Sequence, residues 1–181
     1  MNADGLKRLS LDEIAPELRA ELEPTVARLG YFGEFFQVFS AVPGAVSAFM
    51  GYTKAVKAPL ADSENEVLAL TVCAALGDSY ERIQHERLSV RLGLSTDWIA
   101  AAEGRAGADM ACLSVEEAAL RELALAVSGA HGKDCQTAVA AAAAILGAQK
   151  TATALLQITR FMGIATLCNA LELSLPVPSV F

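Results

Sequence analysis

The sequence predicts an all-α protein of seven to nine helices with no sheet. Three observations carry that expectation. Alanine dominates several segments, while aromatics make up only 6% of the 181 residues, a composition suited to close-packed helices. Helix-start signals recur along the chain at Ser63 with Glu66, at Asp78, at Ser95, and at Ser114 with Glu117. No segment reads convincingly as a strand, and no repeat of solenoid period is present.

The elements follow in order. Residues 11–29 read as helical, interrupted at Pro16 or Pro24, either of which fits a first turn, and Gly30 stops the helix. Tyr31 to Phe36 is the densest aromatic cluster. It is expected to dock the N-terminal arm on the core, with an apolar wall for a ligand pocket as the alternative role. Pro43 fits the first turn of a helix reaching about Lys57, with Val46, Phe49, Met50 and Thr53 on one face, and Pro59 ends it. Ser63 and Glu66 then open a helix to Leu76. From Val67 onward that helix is apolar on every side except at Thr71, so it is expected to be buried all round at the centre of the fold. Gly77 breaks it, and Asp78 caps a helix running to Leu92. Ser95 caps a short helix containing Trp98, residues 104–111 form a loop, and Ser114 with Glu117 starts a helix to about Val127. Asp134 is expected to cap an alanine-rich helix ending near Gly147. A last long helix runs from about Gln149 to Leu173, and Pro176 and Pro178 end the fold in an extended tail. One domain is expected, with residues 1–60 as a helical arm packed on a core of residues 61–181.

Composition narrows the function classes. With 54% hydrophobic and 19% charged residues the chain is not of the disordered type. A net charge of −7 and the lack of any Lys/Arg cluster argue against nucleic acid as a partner. Residues 1–10 are polar and show no cationic start leading into an apolar stretch, and the apolar run 138–148 is too short to span a bilayer. A cytoplasmic protein with no membrane partner is expected. None of the four cysteines, Cys73, Cys112, Cys135 and Cys168, lies within three residues of another. There is no CxxC pair and no zinc-type spacing, so reduced structural thiols are expected, with Cys135 the more exposed.

Chemistry concentrates in Tyr80-Glu81-Arg82-Ile83-Gln84-His85. On a helix, Glu81 and His85 project from one face, and a carboxylate beside an imidazole can fix its tautomer and raise its pKa. If the helices on either side of Gly77 pair antiparallel, Glu66 and His85 are offset by three residues, roughly 4.5 Å along the axis, a gap side chains can close. The expected site is a relay of Glu66, His85 and Glu81 with Tyr80 as a nearby donor. Each residue has a plainer alternative: capping for Glu66 and Glu81, core packing for Tyr80, a structural role for His85, and a surface ion pair for Arg82. Glu81 and His85 could also share a metal, but two ligands are too few, so no metal is expected. His131, beside Gly132 in a loop, is expected to be exposed and idle.

The stretch from Asn65-Glu66 through Ala75-Leu76-Gly77-Asp78-Ser79-Tyr80-Glu81 and His85 to Leu92-Gly93-Leu94-Ser95 resembles the carboxymuconolactone decarboxylase family of the alkylhydroperoxidase D-like superfamily. The segment from Thr166 to Pro176 also resembles the family's last helix. The resemblance implies an all-helical alkylhydroperoxidase D-like fold, assembly as a homo-oligomer (trimer or hexamer, or a dimer), and a site where the central helix meets the histidine helix. In the peroxidase branch the histidine helix starts with a CxxC pair. Those two positions are Asp78 and Glu81 here, so a thiol peroxidase reaction has neither its nucleophile nor its resolving partner. Many members have Arg immediately before the central-helix Glu, where this chain has Asn65.

The resulting expectation is an acid–base enzyme acting on a small carboxylated lactone or oxo acid, with no cofactor. His85, Glu66, Tyr80 and Glu81 are its candidate catalytic residues, and Arg82 and Asn65 its candidate substrate-binding residues. His85 would move the proton, Glu66 would orient it, Tyr80 would donate to an oxyanion, and Arg82 would offer charge if it faces the pocket. The alternative is a non-catalytic helical oligomer that binds an apolar ligand through Tyr31 to Phe36, and a third reading is an alkylhydroperoxidase, which requires that Cys73 or another cysteine be reactive.

Overall fold

In the computed structural model, which describes residues 4–181, the apolar helix is central. The expected arm begins three residues earlier, outside the described residues. Nine α-helices and one 3₁₀ turn, Met110–Cys112, make up the described chain, which contains no strand. They are α1 (Pro16–Leu29), α2 (Glu34–Phe39), α3 (Pro43–Lys57), α4 (Asp62–Leu76), α5 (Ser79–Arg91), α6 (Thr96–Glu103), α7 (Val115–Gly129), α8 (Gln136–Leu146) and α9 (Ala148–Ala170). Residues Glu64 through Cys73 of α4 are all buried, and α5, α6, α7 and α9 pack around them. Thr71, the polar interruption, donates its hydroxyl to the Ala102 carbonyl at 2.9 Å, so its burial leaves no unmet hydrogen bond.

Most helix ends lie where local chemistry sets them. Gly77 takes φ 68° at the end of α4, a conformation that costs glycine nothing, and the Asp78 carboxylate accepts the Tyr80 and Glu81 N–H groups to open α5. Ser95 accepts from Trp98 N–H, and Ser114 and Glu117 form the reciprocal box at the start of α7. Glu117 also accepts the Trp98 indole N–H at 3.1 Å, tying α6 to α7.

Four expectations change. The first helix begins at Pro16, so residues 11–15 are not helical and Pro24 lies inside α1. Glu66 does not cap α4: the helix starts at Asp62, and Glu64 accepts the Ala61 N–H at 2.8 Å, leaving the Glu66 carboxylate free to face α5. Asp134 does not cap α8, which opens at Cys135 without a side-chain cap; Asp134 instead turns the chain at φ 54°. Among the cysteines, Cys112 is the exposed one and Cys135 is half-buried, its thiol donating to the Ala126 carbonyl. His131 is exposed, as expected.

The N-terminal helices form a wall on one side of α9. Ile14, Leu18, Leu22 and Val46 make a small core of their own, and Phe35, Val38 and Tyr80 join Ile164, Cys168 and Leu173 in a second. Helix α9 meets the length and composition of a membrane span, but half of that apolar window is buried inside the fold against α3, α4, α7 and α8.

Candidate active site

Between α1, α2, α3, α4, α5 and α9 lies a cavity of about 250 Å³. Helix α4 brings Glu66 to it and α5 brings Tyr80, Glu81 and His85, because Gly77 folds the two helices antiparallel. His85 Nδ1 is 2.7 Å from Glu66 Oε2, and His85 Nε2 is 3.7 Å from Glu81 Oε2. The imidazole meets the Phe161 ring edge-on at 5.1 Å, which fixes its tilt.

The electrostatics follow from that placement. Burial works against a charged imidazole, but the facing Glu66 and then Glu81 overcome it and raise the His85 pKa from 6.5 to about 9. His85 is therefore an imidazolium at neutral pH. Nδ1–H is held by Glu66, and Nε2 is the nitrogen left to exchange a proton with a ligand. A histidine whose folded pKa is raised stabilises the fold fully below pH 6.5 and loses that contribution as pH rises through 9. The expected contribution is on the order of 3 kcal/mol. Urea unfolding at pH 7 and pH 10 should show that loss, and a Glu66→Gln variant should flatten the slope. An NMR titration of the His85 ring with a midpoint below 7 would contradict the assignment.

The other candidates are placed less uniformly. Tyr80 lines the cavity, but its hydroxyl accepts the Phe35 N–H at 3.1 Å, one of the free donors at the start of α2. Burial pushes the phenol pKa far up, so it stays protonated. Tyr80→Phe strands that buried N–H and should cost about 1–3 kcal/mol, read as a lower urea midpoint with unchanged slope. Asn65 also lines the cavity, yet its side chain is engaged: Nδ2 donates to the Ala61 carbonyl and Oδ1 accepts from Gln157 Nε2 at 2.9 Å. Arg82 turns away. It pairs with Glu86 and lies 3.6 Å from Glu103, so the expectation that it offers charge to the pocket is corrected. Glu81 does not cap α5; it accepts from Gln84 Nε2 at 3.1 Å and stands beside His85.

Phe35 and Phe36 serve both roles open to the aromatic cluster. Phe35 packs in the second core, and both line the cavity with Phe49 from α3 and Phe161 from α9. Sequence reasoning missed Arg160 and Gln157, which line it from α9. The signal was there: Lys150 and Arg160 are the only ionisable Lys/Arg/Asp/Glu side chains along the 23-residue α9, and Gln157 and Arg160 are three apart on one face.

No family model matches the chain, and no curated protein does. Solved structures do. An uncharacterized peroxidase-related protein from Ralstonia eutropha JMP134, described as an alkylhydroperoxidase AhpD core, is similar with a TM-score of 0.73 at 19% identity, over 91% of this chain and 90% of its own. The debrominase Bmp8, solved as a cysteine-to-alanine variant in complex with 2,3,4-tribromopyrrole, gives 0.81 at 17% identity over 96% and 92%. An uncharacterized peroxidase-related protein from Silicibacter sp. TM1040 gives 0.77 at 12% identity over 96% and 94%. The fold of this chain is the alkylhydroperoxidase D-like fold.

Proposed function

We propose that the protein is an acid–base enzyme of the carboxymuconolactone decarboxylase type, acting in the cytoplasm on a small carboxylated lactone or oxo acid. The observation that carries this reading is the Glu66–His85–Glu81 chain opening onto a cavity of small-molecule size. In a decarboxylation, the bond to the carboxylate carbon breaks, carbon dioxide leaves, and its electron pair passes into the neighbouring carbonyl as an enolate. The His85 imidazolium then delivers a proton to the enolate carbon, Glu66 steadies the ring, and solvent restores the proton. A second protein of this fold, the debrominase, is in complex with a small halogenated ring, which supports a small-molecule ligand for the same fold.

Cysteine chemistry gains no support from this site. Asp78 and Glu81 stand where the peroxidase branch has its thiols, and burial pushes the Cys73 and Cys168 thiols well up. The test is turnover of a panel of small carboxylated lactones and oxo acids by wild type and His85→Ala. Equal turnover of any accepted compound by both would sink the reading.

A further inference from the structure

The proton relay leaves a cavity cation unused. Arg160 enters from α9, with its guanidinium carbon 3.9 Å from the centre of the Phe161 ring and 5.9 Å from that of Phe49. Its Nε–H donates to Gln157 Oε1 at 2.9 Å, and Gln157 Nε2 donates to Asn65 Oδ1 at 2.9 Å. Among the described residues Arg160 forms no ion pair, and its Nη1–Nη2 edge has no protein partner. Arg160 is half-buried, the Glu81 and Glu66 carboxylates act on it only from beyond ion-pair distance, and the single tether at Nε sets its plane. The two cavity cations left besides His85 differ: Lys57 pairs with Asp62 at 3.4 Å, and Arg28 is exposed at the end of α1.

We propose that Arg160 is the carboxylate-binding group of this cavity, and that the ligand it takes is a planar, conjugated or aromatic monocarboxylate. A guanidinium tethered at Nε keeps its outer edge as a two-pronged donor, the shape that matches a carboxylate. Phe35, Phe36, Phe49 and Phe161 give flat apolar walls suited to a ring. A void of roughly 150 Å³ admits benzene, so the 250 Å³ here accommodates one substituted ring. Both His85 and Arg160 lie against the Phe161 ring, which puts the anion-binding group and the proton donor within reach of one ligand. Asn65, in the position where relatives of the resembled family carry Arg, is linked to Arg160 through Gln157, so the charge enters from α9 instead of α4.

This inference rests on the cavity being a substrate site, and its test is separable from that of the reaction. Benzoate and its neutral isostere benzamide are titrated by NMR into wild type, Arg160→Gln, Arg160→Lys and Arg28→Gln. Benzoate is expected to shift the His85 ring signals and to bind at least tenfold more tightly than benzamide. Arg160→Gln should weaken benzoate at least tenfold and leave benzamide unchanged, Arg160→Lys should recover part of the loss, and Arg28→Gln should change it less than threefold. No benzoate binding, equal binding of the two probes, or a larger loss in Arg28→Gln than in Arg160→Gln overturns the assignment. Any of these alongside His85-dependent turnover overturns Arg160 alone. Benzoate selectivity without such turnover leaves Arg160 in place and removes the reaction.

Discussion

Replacing His85 by alanine should lower kcat/KM on an accepted substrate by about 10²–10⁴-fold, the usual worth of a positioned general acid. The expectation comes from the site's charge state. With a pKa raised to about 9, His85 enters the reaction holding the proton, so kcat/KM should be flat from pH 6 to 8 and fall as pH rises past 9. Glu66→Gln removes the nearer of the two carboxylates that hold the charge, so the falling limb should move toward pH 6.5. Alanine at 85 leaves Glu66 a buried carboxylate without its partner, so loss of activity could reflect loss of fold. His85→Gln supplies the control: glutamine keeps a hydrogen-bond donor for Glu66 and cannot act as the acid. A folded His85→Gln protein with wild-type turnover, or a Glu66→Gln profile superposing on wild type, would remove the imidazole from the mechanism.

How much of this was legible in the sequence depends on distance along the chain. The ends of α4, α5, α6 and α7 were legible because Gly77, Asp78, Ser95 and the Ser114–Glu117 box act within one turn. The meeting of Glu66 and His85 was legible too, because a tight antiparallel turn fixes register and reduces a tertiary contact to counting residues from Gly77. Where two local signals compete, reading one of them fails. Glu64 stands three residues after Ala61 and Glu66 three after Ser63, and the helix starts two residues earlier than the serine implies. Arg82 had a partner at i+4 in Glu86, and that pair, not the cavity, decides its direction. Helix α2 was missed because six residues are too few to show a period, and four of the six are large and apolar. The rest of the cavity wall comes from α1, α2, α3 and α9, far from α4 and α5 in sequence, so no local pattern places Arg160 there.

Glu86→Ala should destabilise the fold by about 3–5 kcal/mol, as removal of one partner from a buried ion pair does. Glu86 is fully buried one residue after His85, yet it faces away from the cavity. It pairs with Arg82, lies 3.4 Å from Arg105, and accepts the Ser179 hydroxyl and the Val180 N–H at 2.5 and 3.0 Å. Arg105 in turn covers the Phe181 ring at 3.7 Å. Glu86 therefore bridges two guanidinium groups, with Glu103 as the second anion of the cluster, and pins the C-terminal tail against α5. Alanine leaves both cations short of an anion, with only Glu103 between them, and frees the tail's last three residues. Glu86→Gln keeps the shape and an acceptor but loses the charge, so it should cost less than alanine. Urea unfolding measures the stability, and carboxypeptidase digestion of the folded protein reads release of the tail. Truncation after Pro178 separates the two contributions: it should expose the tail's binding groove while keeping the Arg82 and Arg105 pairs, and so cost clearly less than Glu86→Ala. If Glu86→Ala lies within about 1 kcal/mol of wild type, a value typical of exposed pairs, the cluster is not the buried clamp its geometry describes.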